Sequence, residues 1–116
     1  MKPIAISVSL LQLIANPEKF AGRLVRVIGF LALEFEGNAL YLHREDQECM
    51  IPANGIWVDV SPEITEQRNA LDMRYVLLEG IFDAQNKGHM SLWSGSITKI
   101  RRAELWPLYT QKSGNS

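Results

Sequence analysis

His43, His89 and Cys49 are the only imidazole and thiol groups in this 116-residue chain. They stand far apart and lack the spacing of a zinc site, so no metal is expected. His43 reads as an exposed strand residue and His89 as the flank of a turn. Cys49 follows Gln47 and Glu48, and the nearby Glu45, Asp46 and Glu48 disfavour the thiolate that a nucleophile needs. Ser94-Gly95-Ser96 lacks the Gly-x-Ser-x-Gly elbow of a serine hydrolase. Gly22, Gly29, Gly37, Gly55, Gly80, Gly88 and Gly95 are spread singly, as turns and bends require, and form no phosphate-cradling loop. Acids come in groups, Glu34 with Glu36, and Glu45, Asp46 and Glu48 together. Acid–base catalysis needs two carboxyls held in different environments within a cleft. Acids beside a turn are more often solvated. The expectation is no catalytic residue, no cofactor and no enzyme.

Binding chemistry is better represented. Phe30, Phe35, Tyr41, Trp57 and Trp93 are candidate aromatic contacts, and Arg23, Arg26, Arg44, Lys99, Arg101 and Arg102 candidate cations. Stacking aromatics in a basic groove would suit single-stranded nucleic acid. Acids interleave with them, however, and twelve basic against thirteen acidic residues give a net charge of -1. A polyanion binder usually carries a basic surplus. Tyrosine, tryptophan and arginine also anchor protein interfaces. The expected partner-binding set is Glu34, Phe35, Glu36, Tyr41, His43, Asp46, Trp57, Asp59 and Trp93. In that reading, outward aromatics rimmed by acids steer a basic protein partner. Trp57 has two equal options, facing outward on its strand or packing under the front helix. Binding of single-stranded nucleic acid or a nucleotide is the alternative.

The elements that must position these residues follow from periodicity. Ser9 with Gln12 three residues on reads as a capping box opening a helix that ends before Pro17. A loop is expected over 18–22. From Arg23 the period becomes two, with Val25, Val27, Gly29, Leu31 and Leu33 on one side of a strand. Both sides are apolar enough to be covered, and Gly29 suggests a bend. Glu36-Gly37-Asn38 reads as a hairpin turn, followed by a strand over 39–44 and a polar loop over 45–55. Ile56, Val58 and Val60 alternate with Trp57 and Asp59 in a third strand. Ser61-Pro62-Glu63 is a helix start, running to about Leu71. A fourth strand spans 74–84 with Gly80 in its middle, a short one is expected over 89–93, and the last runs from Ser96 to about Trp106.

Five strands with a helix between the third and fourth are the layout of the OB fold, a small Greek-key barrel. The fold class expected is therefore mostly β, a five-stranded OB-like barrel with an extra N-terminal helix. It forms one domain over 1–110 with a loose tail over 111–116. An open α+β sheet is the rival.

The pattern Leu13-x3-Pro17-x2-Phe20-x-Gly22-x2-Val25-x-Val27-x-Gly29 resembles the start of bacterial OB-fold domains of the tRNA-anticodon-binding-like group. So does Tyr75-Val76-x2-Glu79-Gly80-x-Phe82, which would be the fourth strand. The stretch Gly88-His89-Met90-x-Leu92-Trp93 resembles small uncharacterised bacterial proteins, many of which accompany toxins as neutralising partners. The resemblance implies a barrel that binds, with a toxin as the protein partner and occlusion as the mechanism. The apolar stretch 4–14 is broken by Ser7, Ser9 and Gln12, with no cleavage site after it, and no apolar run reaches membrane-spanning length. The lone cysteine leaves no internal disulfide. A cytoplasmic location, without membrane contact, is the expectation.

Overall fold

The computed structural model describes residues 4–107. Helix α1 (Leu10–Ala15) starts as its sequence requires. The Gln12 N–H donates to Ser9 Oγ at 3.2 Å, and the Ser9 N–H donates to Gln12 Oε1 at 2.9 Å. Two backbone donors that a helix start leaves orphaned are thereby satisfied. Leu10 and Leu13 are buried beneath the helix. Pro17 opens a second helix, α2 (Pro17–Phe20), where a loop was expected. A proline has no N–H to lose at the first helical position and its φ is already set. Ahead of α1, the two-residue strand β1 (Ile6–Ser7) pairs in parallel with Val25 and Arg26. Two residues are too few to carry a period.

Five longer strands follow: β2 (Leu24–Ala32), β3 (Ala39–Tyr41), β4 (Gly55–Val58), β5 (Arg74–Asp83) and β6 (Ser96–Leu105). Their order is β2-β3-β4-β6-β5, and β5 pairs back onto β2. The β4–β6 pair is parallel and the others antiparallel. The result is a closed, mixed five-stranded barrel with β1 added at its side, so the mostly-β barrel expected from the sequence is what forms. Strand β2 pairs with β5 over Leu24–Leu31 and with β3 from Phe30, which makes it the seam where the sheet curls. At Gly29 and Gly80 neighbouring backbone comes too near for a side chain: a Cβ would lie 2.7 Å from the Tyr41 carbonyl and 2.6 Å from the Thr98 carbonyl. The β5–β6 register also slips at Gly80, between Glu79 and Ile81. Such a bulge bends a strand as closure demands.

Between β4 and β5 the chain forms α4 (Pro62–Glu66) and α5 (Arg68–Leu71), broken at Gln67. Pro62 stands at the first position as expected, but the Ser61 side chain makes no capping bond. Ile64 and Leu71 are buried against the barrel.

Four boundaries differ from expectation. The strand over 39–44 stops at Tyr41, and the one over 56–60 is Gly55–Val58. The loop over 45–55 holds α3 (Arg44–Glu48) and a 3-10 turn at Pro52–Asn54. Helix α3 has no apolar stripe to betray it. It is held by Glu45 and Asp46 in its first turn and by the His43 N–H, which donates to Asp46 Oδ2 at 2.9 Å. The short strand over 89–93 is instead a 3-10 turn, His89–Ser91, with Met90 and Ser91 at positive φ. The expected tail over 111–116 lies outside the described residues.

Alternation divides the apolar residues into two clusters. Val25, Val27, Leu31, Leu40, Ile56, Val58, Val76, Leu78, Phe82 and Ile97 fill the barrel, with Leu13, Ile64 and Leu71 against its openings. Phe30, Ala32, Ala39, Tyr41 and Trp93 form a smaller cluster on the opposite face of β2 and β3, joined by Trp57 and Tyr75. Among the described residues, no helix is long and apolar enough to cross a membrane.

Candidate functional site

Two connections approach each other at one end of the outer aromatic cluster. The first, residues 33–38, joins β2 to β3. Its first residue is tied down twice: the Leu33 N–H donates to Asp72 Oδ1 at 2.8 Å, and Arg68 Nη2 donates to the Leu33 carbonyl at 2.7 Å. The turn itself closes from the Gly37 N–H to the Glu34 carbonyl at 3.0 Å. The residue at positive φ is Glu36, at 54°, and not Gly37 or Asn38. The turn therefore sits earlier than its glycine suggests, and Phe35 is carried to the tip, 92% exposed.

The second connection, residues 84–95, joins β5 to β6. Asp83 Oδ1 accepts from the Gln85 and Asn86 N–H groups at 2.9 and 3.1 Å, an Asx turn that starts the loop. Gly88, at φ 74°, lies against Trp57, where a Cβ would meet the indole at 2.5 Å. Beyond it, the Trp93 N–H donates to the Lys87 carbonyl at 3.1 Å, which folds the indole of Trp93 back onto the sheet. Trp57 and Trp93 meet edge to face at 5.1 Å, and Phe30 meets Tyr75 in the same way at 5.3 Å. The Arg44 guanidinium lies over Phe30, 5.3 Å from its ring centre.

A cleft of about 430 Å³ opens between the two connections and α3. Tyr41 and Trp93 line it, and Glu34, Phe35, Glu36, Glu48, Met50 and Leu92 surround it. Phe35, Met50 and Leu92 are 92%, 82% and 49% exposed, and Met90, in the 84–95 connection, is 76% exposed. An exposed group of large apolar side chains bordered by acids is characteristic of an interaction surface. Glu36 pairs across the two connections with His89 Nε2 at 2.6 Å, and Gln47 Nε2 donates to Glu34 Oε1 at 3.4 Å. Of the six described non-glycine residues at positive φ, Glu36 and Met50 line the cleft, Met90 and Ser91 lie in the 84–95 connection, and Met73 and Lys99 lie elsewhere. Backbone strain of this kind costs on the order of 1–3 kcal/mol per residue and gathers at binding sites.

The floor is polar in a particular way. Trp93 is 7% exposed, and its buried indole N–H makes no hydrogen bond of good geometry among the described residues. The Tyr41 hydroxyl is its polar neighbour. Burial pushes the Tyr41 pKa up, the neighbouring indole lowers it in part, and the charges of Glu34 and Asp46 raise it further. The phenol therefore stays protonated and can donate. A buried N–H left unpaired costs about 1–3 kcal/mol.

Of the nine residues expected to bind a partner, the cleft brings together Glu34, Phe35, Glu36, Tyr41 and Trp93. Tyr41 and Trp93 were expected as outward anchors, and both are buried, because the 84–95 connection folds back over the sheet. Asp46 is buried too. It accepts from Asn54 Nδ2 at 2.9 Å and joins α3 to the following turn, so it is not on the rim. Trp57 is half-buried beneath Gly88 and Trp93, which is neither of the two places expected for it. His43 borders a different, open cleft with Ser7, Leu11, Arg26 and Ile28. Asp59 is exposed just beyond β4, away from the rim. Met50, Pro52 and Leu92 were missed. An exposed methionine in a polar stretch carries no period, although Met50 and Met90 each stand in a loop where a polar residue is usual.

On the barrel's opposite flank, Glu79 is 4% exposed and bound by three arginines. Arg26 Nε, Arg101 Nε and Arg102 Nη1 lie 2.7, 2.9 and 3.3 Å from its carboxylate. Arg102 also pairs with Glu104 at 2.9 Å, and that hydrogen bond holds the Glu104 carboxyl below its usual range. The basic residues Arg26, Arg101 and Arg102 are thus engaged with carboxylates. Among the described residues, no three His, Cys, Asp or Glu side chains are grouped to hold a metal.

Comparison of the chain with protein-family models, with curated proteins and with solved structures returns no match. The strand order and the closed barrel are compatible with an OB-like fold, and the finer resemblance read from sequence rests on the residues alone.

Proposed function

We propose that this chain is an OB-type, non-catalytic binding module that docks a basic protein partner on the end of the barrel formed by residues 33–38 and 84–95. One observation carries the reading: Phe35, Met50 and Leu92 are exposed together around a cleft bordered by Glu34, Glu36 and Glu48. Apolar anchors supply the area that holds a complex, and the carboxylates select and steer a partner of opposite charge. In OB barrels the loops after the first and fourth strands are the usual ligand contacts, and these two connections occupy those places. The same features weigh against a single-stranded nucleic acid. Carboxylates at the rim repel phosphates, and the aromatic shelf of Phe30, Tyr41 and Trp57 is covered by the chain's own Trp93 and Arg44. Toxin neutralisation is the particular form of this reading that the sequence resemblance implies, with the barrel covering a basic active surface.

The test is a selection of random displayed peptides on the immobilised full chain. Basic sequences should be enriched, and their binding should be lost to the double variant Phe35→Ser, Met50→Ser. Both positions are exposed, so the fold is unaffected. Enrichment of acidic sequences, or of peptides indifferent to the double variant, would overturn the proposal.

A further inference from the structure

Strand β2 changes partners along one of its edges, and the change leaves a gap. In an antiparallel pair, hydrogen-bonded and non-hydrogen-bonded residues alternate. The Phe82 N–H donates to the Arg23 carbonyl and the Met73 N–H to the Leu31 carbonyl, at 3.0 and 2.8 Å. Val25, Val27 and Gly29 therefore bond to β5, while Arg26, Ile28 and Phe30 turn their N–H and carbonyl groups to the other edge. On that edge the β1 ladder reaches Arg26, whose carbonyl accepts from the Val8 N–H at 3.0 Å. The β3 ladder starts at Phe30. Ile28 lies between them, and the chain turns away from it on both sides. Val8 runs on into the cap of α1, the Leu42 N–H donates to the Asn54 carbonyl, and the His43 N–H donates to Asp46 Oδ2. Among the described residues, the N–H and carbonyl of Ile28 have no hydrogen-bond partner.

This edge opens into a cleft of about 470 Å³. Val8, Leu11, Ile28 and Leu42 give it apolar walls, with Leu11 61% and Ile28 39% exposed. Its arginine, Arg26, is already held by Glu79 Oε1 and Ser7 Oγ, at 2.7 and 3.2 Å. The walls therefore ask for no charged ligand. The edge asks for a donor and an acceptor from one residue, flanked by apolar groups. An extended peptide residue has that form, because its own N–H and carbonyl lie on the same side of the chain. From Arg26 to Phe30 the edge runs about 13 Å, at about 3.3 Å per residue, so it admits about two or three residues and not a long strand.

We infer that this cleft docks a short, extended, uncharged apolar segment of a protein partner. One residue of the segment pairs with the N–H and carbonyl of Ile28, and its neighbours lie on Leu11 and Leu42. This is strand addition at an interrupted edge. It is a second contact face, independent of the one proposed above.

The free chain gives the first measurement. In amide hydrogen exchange followed by proton–nitrogen NMR, Ile28 should exchange at least about tenfold faster than Val27 and Gly29 on either side of it. Exchange as slow as that of its neighbours overturns the inference. Slow exchange that becomes fast on dilution overturns it too, and shows a second copy of the chain at this edge. The second measurement is a selection of random displayed peptides on the chain carrying Phe35→Ser and Met50→Ser, which lacks the first face. Enriched sequences should be apolar and uncharged. They should lose binding when Leu11→Glu, a change at an exposed position, is added without altering the melting temperature. A synthetic peptide of the enriched sequence should slow the exchange of Ile28. Replacing its amides one at a time by esters should weaken binding about tenfold at one position, the scale of one backbone hydrogen bond. No enrichment, peptides indifferent to Leu11→Glu, or binding that leaves Ile28 exchange unchanged overturns the inference. The bait lacks the first face, so these failures leave the docking reading above standing.

Discussion

Replacing Glu79 with glutamine keeps the shape of the side chain and removes its charge. The carboxylate is 4% exposed and receives three arginine hydrogen bonds, at 2.7, 2.9 and 3.3 Å, from strands on both sides of β5. Desolvation by itself raises its pKa. The hydrogen bonds from Arg101 and Arg26 and the charges of those guanidiniums outweigh it, so Glu79 titrates below the usual range. A glutamine oxygen can keep one or two of the bonds, while its amide must turn a donor toward a guanidinium. The arginines are about one-third exposed, at 34%, 33% and 42%, and can turn partly to water, which limits the loss. One hydrogen bond to a charged group is worth about 1.5–3 kcal/mol, so Glu79→Gln should cost about 2 kcal/mol at pH 7. For a domain of this size that lowers the melting temperature by about 8 °C. The pH dependence is the sharper assay. A carboxylate with a lowered folded pKa stabilises fully above its unfolded value, about 4.3, and the contribution is lost as pH falls through the folded value. The gap between wild type and variant in urea denaturation should therefore be constant from pH 7 to about 5 and should close in more acid solution, where wild-type Glu79 is itself neutral. Equal stability at pH 7, or a gap that widens on acidification, would refute the reasoning.

Three further changes probe separate parts of the fold. Gly88→Ala places a Cβ 2.5 Å from the Trp57 ring at φ 74°, and should cost about 1–3 kcal/mol in thermal melts while shifting tryptophan fluorescence as the Trp57–Trp93 contact loosens. An unchanged emission spectrum would mean that the 84–95 connection is not seated on Trp57. Ser9→Ala removes one half of the α1 capping box and should cost about 1 kcal/mol, read by chemical denaturation. Leu78→Ala empties a fully buried position inside the barrel and should cost about 2–5 kcal/mol, so a loss below 1 kcal/mol would contradict the barrel register.

Much of the fold can be read in residues whose demands are local. The Ser9–Gln12 box and Pro62 mark helix starts because capping and a fixed φ depend on a few neighbouring positions. The run from Val25 to Leu33 reveals a strand covered on both faces, since period two is a property of one strand alone. Where local demand is weak, the sequence is a poor guide. Helix α3, Arg44–Glu48, is polar on every side and is kept by the bonds of Asp46 to His43 and Asn54. The turn before β3 places its left-handed residue at Glu36, although Gly37 and Asn38 would adopt that conformation more cheaply.

The candidate site divides along the same line. Its chemistry was visible as residue types: the acids Glu34 and Glu36, the exposed Phe35, the aromatics Tyr41 and Trp93. Its geometry was not. Whether an aromatic is an anchor or a floor depends on what folds over it, and Trp93 reaches Tyr41 only because Lys87 and Gly88 turn the chain back across the sheet. By itself the sequence determined the strands, the helix starts and the glycines at the bends, each a short-range constraint, and favoured a barrel over an open sheet without closing it. Only the tertiary structure decided that Tyr41, Trp93 and Asp46 are buried, that Trp57 lies beneath Gly88, and that Met50 and Leu92 border the cleft. Those are contacts between distant segments, and no period or local propensity encodes them.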